Sequence, residues 1–300
     1  MACQLPDLHA VAKVEVDGLG RCIIPLPRSA RRTRQPKVRP VIALDAQTTK
    51  ECCVRVLIAI PVYNERKYVD SVLERVKSFH PDILVIDDGS TDGTQDILAA
   101  RRDIQLITHK PNQGYGQSLI DAFKHADARG YDWVITMDCD EQHEPEMIPA
   151  FMREIESDRW DLISGSRYLN PTKEDDLPPG DRRSINATIT EVINSLFNLR
   201  ITDAFCGFKA HRVGPTVALK LDEKGYAFPM QLWPRVARAN LRLSEIPVRL
   251  IYNDPNRYFG GKLDDATYRL KHYLSVLQAE LDKWDQPATE PAACSGCCCG

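Results

Sequence analysis

Short apolar runs alternate with amphipathic stretches through the first half of the chain. The four runs cover residues 54–62, 83–86, 104–108 and 133–137. Apolar runs of this length, rich in β-branched residues, predict strands that are buried on both faces. Because helical periodicity separates them, the pattern indicates an α/β domain with a mostly parallel, Rossmann-like sheet flanked by helices. Ligands of such sheets bind beyond the carboxyl ends of the strands.

The second half of the chain is less regular. It predicts strands at residues 162–164 and 243–252, helices at 184–199 and 263–284, and a turn-like segment at 202–209. The last helix has one apolar stripe at helical spacing, formed by Leu263, Ala266, Leu270, Tyr273, Leu277, Leu281 and Trp284. We expect this stripe to pack on the domain, with a membrane interface or a second subunit as the alternatives.

The ends of the chain differ in composition from this domain, which we place at residues 54–285. Residues 1–53 are predicted to be a flexible basic arm, since residues 21–39 contain seven basic residues, three prolines and no acidic residue. Such an arm is typically solvated, and it could also contact anionic lipid. Nucleic acid is not an expected partner, because no aromatic residues are interleaved for base stacking. Residues 286–300 are predicted to form a disordered, cysteine-rich tail.

Cysteine usage and charge bear on the compartment. Four of the ten cysteines fall in the last seven residues, and the first twenty residues lack the apolar core of a signal peptide. A secreted disulfide framework is therefore not expected. The tail is interpreted as an unstructured end, with soft-metal binding or lipidation as alternatives. The net charge is −3, and no apolar run approaches the ~18–20 residues of a membrane span. We expect a cytoplasmic protein that meets a membrane peripherally, on its cytoplasmic face.

The fourth predicted strand runs into two aspartates, Asp138 and Asp140, separated by one residue. Residues i and i+2 of an extended chain point the same way, so both carboxylates and the following Gln142 would face one point. Two adjacent carboxylates repel each other unless a proton or a cation lies between them. Hard oxygen ligands favour Mg²⁺ or Mn²⁺, which usually also bind substrate phosphates. Taken alone, Asp-x-Asp is more typical of a solvated turn.

Three further segments also follow predicted strands. With the Asp-x-Asp segment, which is the third, the four segments in chain order are Ile60–Glu65, Val85–Thr94, Met137–His143 and Gly165–Arg167. In this order they resemble the family 2 inverting glycosyltransferases of the GT-A fold. Asp-x-Asp-x-Gln-His, with Asp203, Gly207-Phe208 and the segment from Arg257 to Lys262, is similar to the dolichyl- or polyprenyl-phosphate mannose synthases. The resemblance extends from about residue 54 to residue 265.

The resemblance implies a site for a nucleotide diphosphate-sugar, with GDP-mannose favoured. Its donor-binding residues would be Pro61, Tyr63, Asn64, Glu65, Asp88, Asp138, Cys139, Arg257 and Lys262. The implied ligands of Mg²⁺ or Mn²⁺ are Asp138, Asp140 and Gln142. The implied acceptor-phosphate residues are Arg167, Arg182, Arg183 and Asn186, and the implied catalytic residues are Asp140, Asp203 and Arg167. The family has a serine four residues after the acceptor arginine; Asn186 occupies that position if the arginine is Arg182, so Arg183 stays an alternative.

The implied reaction transfers a hexose, mannose favoured, to a polyprenyl or dolichyl phosphate. A phosphate monoester, with a second pKa near ~6, is largely dianionic at neutral pH and needs no general base. A saccharide hydroxyl, as in polysaccharide or glycolipid synthesis, would need one, and Asp203 is the candidate. A non-catalytic GT-A binding protein would not need the carboxylate pair. A nucleotidyltransferase would carry a glycine-rich phosphate loop after the first strand, where Pro61–Glu65 stands instead.

Overall fold

The structure, a computed structural model, describes residues 15–16, 22–23, 54–173, 175–253 and 259–284. The chain divides into two units at Cys52. In the first, Glu15–Val16 (β1) pairs antiparallel with Cys22–Ile23 (β2). Apart from these four residues, the predicted basic arm at 1–53 and the predicted tail at 286–300 lie outside the described part of the chain.

A seven-stranded mixed sheet forms the centre of the second unit. Its strands are Val56–Val62 (β3), Ile83–Asp87 (β4), Gln105–Thr108 (β5), Trp133–Thr136 (β6), Leu162–Ser166 (β7), Lys209–Arg212 (β8) and Leu243–Pro247 (β9). The spatial order is β5-β4-β3-β6-β8-β7-β9. All pairings are parallel except those of β8, which runs opposite to both of its neighbours. The predicted α/β fold with a mostly parallel sheet is confirmed.

Helices cover both faces of the sheet. They are Val69–Lys77 (α1), Thr94–Ala100 (α2), Tyr115–Ala128 (α3), Ile148–Glu156 (α4), Gly180–Phe197 (α5), Val213–Ala218 (α6), Phe228–Arg238 (α7) and Ala266–Trp284 (α8). Short 3-10 turns lie at Pro145–Met147 and Gly261–Asp264. Alternate residues of each strand enter two apolar cores, so that Leu57 packs with α3 residues while Ile58 packs with α1 and α4 residues. This two-sided burial explains the unbroken apolar runs of the strands.

Helix α8 packs on the domain, as its apolar stripe predicted. Tyr273, Leu277 and Leu281 are buried. The ring of Tyr273 lies 5.0 Å from that of Phe205, and the ring of Trp284 lies 5.2 Å from that of Phe197, measured between centroids. Within the described residues, no helix combines the length and the apolar character that crossing a bilayer requires.

Two predictions for the second half were wrong. The segment 202–209 was expected to be turn-like throughout, but its last residue opens strand β8, whose Lys209 and His211 side chains are buried. The strand expected at 243–252 ends at Pro247. Beyond Pro247 the chain leaves the sheet, and the backbone N–H groups of Leu250 and Tyr252 are bound by side chains of Asp175 and Asp176 instead.

Candidate active site

A cavity of about 830 Å³ opens at the carboxyl ends of the parallel strands. One wall comes from loops that follow β3, β4 and β6, and the other from segments after β7 and β9 and from α5 and α8. The predicted site residues that line it are Pro61, Tyr63, Asn64, Glu65, Asp88, Asp138, Cys139, Asp140, Gln142, Arg167, Arg182 and Asn186. The structure therefore brings together residues that lie more than 120 positions apart.

The loops after β3 and β4 are joined to each other through Asn64. Its backbone N–H donates to the Ser90 hydroxyl over 2.9 Å, and its side-chain oxygen accepts from the Thr91 N–H over 2.8 Å. Asn64 has a φ of 58°, a left-handed conformation that asparagine tolerates better than most residues. These hydrogen bonds fix the position of the loop that carries Tyr63 and Glu65.

Asp88 organises the glycine loop that opens α3. Its carboxylate accepts hydrogen bonds from the backbone N–H groups of Gln113 and Gly114 at 2.7 and 2.9 Å, and it lies 2.7 Å from His109 Nδ1. Asp88 is 4% exposed and lines the cavity. Sequence reasoning missed His109, because a lone histidine after a strand carries no recognisable pattern. Contact of Asp88 with a base or ribose stays a prediction.

Asp138 and Asp140 have different hydrogen-bond partners. The Tyr115 hydroxyl donates to Asp138 Oδ1 over 3.0 Å, whereas Asp140 Oδ1 accepts from the Gln142 N–H over 3.0 Å. Burial, followed by the Asp138 charge, raises the pKa of Tyr115 well above its usual value, so the hydroxyl remains a donor. A Cβ at Gly207 would lie 2.6 Å from Asp138 Oδ2, which explains the glycine there.

The donor set around Asp138 fits a divalent cation that also binds its substrate. Mg²⁺ sites commonly use one or two carboxylates together with substrate phosphates, rather than an all-protein cage. No group of three His, Cys, Asp or Glu side chains converges in the described part of the chain. Gln142 Nε2 is buried without a hydrogen-bond partner there. Because the two ends of an amide are interchangeable by a flip, an oxygen ligand can occupy that place.

The second wall is built around an ion pair between Arg167 and Asp203. Nε and Nη2 of Arg167 donate to the two carboxylate oxygens of Asp203 over 2.6 and 2.9 Å, and the Asn186 amide donates to Oδ1 over 2.8 Å. Asp203 is fully buried. Burial alone would raise the pKa of this carboxyl, but Arg167, Asn186 and Lys209 hold it well below its usual range. Asp203 therefore positions Arg167, and a role as a proton acceptor is disfavoured.

The structure distinguishes the two candidate acceptor arginines. Arg182 lines the cavity, and its guanidinium lies 5.4 Å from the ring centre of Tyr252 and 4.8 Å from that of Phe259. Arg183 is exposed and is not among the lining residues. Consecutive helical residues point about 100° apart, which is why only one of them can face the cavity. This geometry favours Arg182.

A third arginine, Arg269 of α8, also lines the cavity although no motif pointed to it. It is 3% exposed, binds the Asp181 carboxylate, and stacks 4.8 Å from the ring centre of Phe259. Lys262 is exposed and is not among the lining residues. Arg257, the other predicted diphosphate contact, lies outside the described residues.

The acidic side chains of the cavity are confined to one wall. Among the described lining residues they are Glu65, Asp88, Asp138 and Asp140. All four belong to the loops after β3, β4 and β6. The wall built by residues 167–273 contributes arginines, aromatic rings and an asparagine. Among the described lining residues, the carboxylates are thus confined to the first wall, which also contains Lys67, and the wall of residues 167–273 has cations but no carboxylate.

Solved structures with the same architecture are glycosyltransferases. Glucosyl-3-phosphoglycerate synthase from Mycobacterium tuberculosis, solved with Mn²⁺, UDP-glucose and phosphoglyceric acid, superposes with a TM-score of 0.56 at 16% identity, covering 77% of this chain and 81% of that chain. TarS 1–349 of S. aureus, solved with UDP-GlcNAc, gives a TM-score of 0.53 at 15% identity, covering 78% and 68%. The fold is that of the GT-A glycosyltransferases, as predicted.

Sequence comparison gives the family. The profile of glycosyl transferase family 2 matches residues 57–217, more than half of the chain. The chain belongs to glycosyl transferase family 2 and is a glycosyltransferase. Undecaprenyl-phosphate mannosyltransferase of Micrococcus luteus is 29% identical over 73% of this chain and 94% of its own length. Polyprenol monophosphomannose synthase of Mycolicibacterium smegmatis is 28% identical over 76% and 89%.

Proposed function

We propose that this protein transfers a hexose from a nucleotide diphosphate-sugar to a polyprenyl phosphate, with inversion at the anomeric carbon. The observation that carries this proposal is the division of the cavity. The wall built by residues 167–273 presents Arg167 and Arg182 to the cavity and, among its described lining residues, no carboxylate. Both carboxylate oxygens of Asp203 already accept hydrogen bonds from Arg167 and Asn186. Such a wall suits an acceptor that is already anionic and needs no deprotonation.

The two named relatives support the same acceptor class. A third relative, UDP-N-acetylglucosamine–dolichyl-phosphate N-acetylglucosaminyltransferase of Methanococcus voltae, is 27% identical over 76% of this chain and 97% of its own length. The three names share a polyprenyl or dolichyl acceptor and differ in the sugar. We therefore propose mannose from GDP-mannose as the first candidate donor, because two of the three relatives are named for mannose.

We assign Asp138, Asp140 and Gln142 to a Mg²⁺ or Mn²⁺ ion. When bound, such an ion stabilises the negative charge that develops on a departing diphosphate. Tyr115 keeps Asp138 oriented, and Asp140 is the central catalytic carboxylate of the motif. Pro61, Tyr63, Asn64, Glu65, Asp88 and Cys139 form the wall against which the nucleoside and ribose are proposed to lie.

Arg167 and Arg182 are proposed to hold the acceptor phosphate near the anomeric carbon. Planar guanidinium groups bind phosphate oxygens in pairs and cannot lose their charge at neutral pH. Because Asp203 binds Nε and Nη2 of Arg167, Nη1 is the nitrogen proposed to contact the acceptor phosphate in the cavity. The reaction is proposed to occur at a membrane surface, with the protein attached peripherally on its cytoplasmic face.

A donor screen followed by a transfer assay tests the proposal. Thermal unfolding would be followed with GDP-, UDP- and dTDP-sugars in the presence of Mn²⁺ or Mg²⁺, since a true donor raises the melting temperature by mass action. The stabilising donor is then incubated with a polyprenyl phosphate, and the glycolipid is detected by mass spectrometry. Transfer to a saccharide hydroxyl without transfer to polyprenyl phosphate would reject the proposed acceptor.

A further inference from the structure

Arg269 is a buried arginine whose side chain joins three parts of the second wall. Its Nη1 donates to the Leu263 carbonyl over 2.7 Å, and its Nη2 donates to the Asp181 carboxylate over 2.5 Å. Its guanidinium carbon lies 4.8 Å from the ring centre of Phe259. Leu263 belongs to the 3-10 turn before α8, and Asp181 belongs to the first turn of α5. Arg269 thereby fixes the position of the Phe259 ring relative to α5.

Phe259 is also held through its backbone and by a second ring. The backbone N–H groups of Phe259 and Gly260 both donate to Asp264 Oδ1, over 2.8 and 3.0 Å. The Phe259 ring meets the ring of Tyr226 edge-on, with 5.5 Å between the centroids and 81° between the planes. Phe259 and Tyr226 both line the cavity. Together with Arg269, these contacts hold the Phe259 ring in one orientation in the cavity wall.

The same ring contacts the guanidinium of Arg182. The guanidinium carbon of Arg182 lies 4.8 Å from the Phe259 ring centre, as does that of Arg269. A cation over an aromatic face is attracted by the quadrupole of the ring. Stacking also sets the plane of the guanidinium, whose N–H groups lie in that plane and bind phosphate oxygens from its edges. The orientation of the Phe259 ring therefore determines where the N–H groups of Arg182 point.

We propose that Arg269 is a positioning residue for the acceptor: through Phe259, it holds the Arg182 guanidinium in the orientation that receives the acceptor phosphate. The inference rests on the proposed polyprenyl phosphate acceptor and on the assignment of Arg182 to its phosphate. An arginine already held on a ring has less rotamer freedom left to lose when it binds a ligand. Both terminal nitrogens of Arg269 donate to protein oxygens, which favours this role over direct contact with the phosphate.

A double-mutant cycle tests whether Arg269 acts through Arg182. Initial rates are measured at saturating donor with increasing concentrations of a water-soluble prenyl phosphate, for the full chain, Arg269→Met, Arg182→Ala and the double variant. We expect Arg269→Met to lower kcat/KM for the acceptor by about tenfold, chiefly by raising KM. The double variant should be no worse than Arg182→Ala, because the two residues act as one unit. Losses that multiply in the double variant would overturn the proposal.

Substitutions of Phe259 test the same link and leave the buried ion pair between Arg269 and Asp181 in place. Phe259→Leu removes the aromatic face, so the acceptor KM should rise by about tenfold. Phe259→Tyr, which restores the ring, should recover most of that loss. An unchanged acceptor KM in Phe259→Leu would overturn the proposal, and this result can be obtained even if Arg269→Met does not fold.

Arg238→Met is the matched control. Arg238 also stacks over a ring, 5.9 Å from the centre of Trp284, and donates to the Lys283 carbonyl, but it is not among the lining residues. Its loss should leave the acceptor KM unchanged. Nucleotide binding, measured by calorimetry, should be retained in every variant, whereas a general loss of structure would lower it.

The same assay separates this inference from the proposed function. If the unmodified protein transfers no sugar to a prenyl phosphate, the proposed function itself is rejected. If the unmodified protein is active and Arg182→Ala raises the acceptor KM while Arg269→Met does not, only the positioning role of Arg269 is rejected.

Discussion

Asp140 stands where the chain leaves β6, 6% exposed and lining the cavity. The negative charge of Asp140 contributes to catalysis only if a cation and a diphosphate bind in the site. Asp140→Asn therefore tests the metal role, because it removes the charge with almost no change in shape. We expect transfer to fall by at least about a hundredfold, while the melting temperature changes little. Glu141→Gln is the control, because Glu141 points to the Ser71 hydroxyl. Near-full turnover of Asp140→Asn in excess Mn²⁺ would exclude the role.

Neighbouring arginines of α5 offer a second comparison at the residue scale. Arg182→Ala removes a guanidinium that lines the cavity, whereas Arg183→Ala removes one from the exposed face. Loss of a charged hydrogen bond costs about 1.5–3 kcal/mol, so kcat/KM for the acceptor should fall by about tenfold to a hundredfold for Arg182→Ala only. Nucleotide binding, measured by calorimetry, should be unchanged. A collapse of nucleotide binding would assign Arg182 to the donor.

Residues that lie in one stretch of sequence were the easiest to predict. Pro61–Glu65 and Asp138–Gln142 each follow an apolar run, so strand geometry alone carries them to the edge of the sheet. Tyr115, His109 and Arg269 were missed, because each enters the site through a tertiary contact that leaves no local pattern. The sequence also could not choose between Arg182 and Arg183, since that choice depends on the rotation of α5.

At the scale of elements, α3 and the loop at residues 223–225 are fitted closely to each other. The Gln117 N–H donates to the Lys224 carbonyl over 3.1 Å, and a Cβ at Gly116 would collide with the carbonyl of Glu223 and lie 3.0 Å from that of Gly225. This contact sets the position of Tyr115, which orients Asp138. Backbone atoms on the loop side cannot move aside as a flexible side chain could.

We therefore expect Gly116→Ala to lower the free energy of unfolding by about 1–3 kcal/mol, the usual cost of overpacking. Gly214→Ala is the matched control, since Gly214 also lies in a helix but a Cβ there would meet nothing within 4 Å. That variant should be neutral or more stable by up to about 1 kcal/mol. Urea unfolding of both proteins measures the difference. If Gly116→Ala and Gly214→Ala were equally stable, the loop at residues 223–225 would have to move to accommodate the added methyl group.

Strand β8 and helix α7 are among the elements that sequence reasoning failed to find. Strand β8 reads Lys-Ala-His-Arg, and its lysine is buried where it donates to the Cys206 carbonyl and lies 5.3 Å from the Trp233 ring centre. Helix α7 includes Pro229 and Pro234, which argue against a helix when seen in sequence alone. In both cases tertiary burial outweighs the local preference.

At the scale of the whole molecule, His211 makes stability depend on pH. Burial, together with the nearby Lys209 charge, lowers its pKa from 6.5 to about 3. Between these values the unfolded chain binds the proton and the folded chain does not, so stability is present above pH 6.5 and is lost as the pH falls. This one group makes the free energy of unfolding change by up to about 1.4 kcal/mol per pH unit.

Replacing this histidine should flatten the acid side of the stability profile. In His211→Leu, the free energy of unfolding measured in urea should fall less between pH 6.5 and pH 4.5 than in the unmodified protein. His125→Gln provides the comparison, because His125 is only partly buried and its pKa is lowered less. Parallel profiles for His211→Leu and the unmodified protein would mean that other groups govern acid unfolding.

The reversed strand β8 also has a consequence for synthesis of the chain. In the described sheet, β7 pairs with β8 and β9 and with no earlier strand. Translation delivers β7 more than forty residues before β8. Leu162–Ser166 must therefore leave the ribosome without a partner and wait, with its apolar face exposed, until β8 has joined β6. A slow stretch of translation just before residue 209 would prolong that wait.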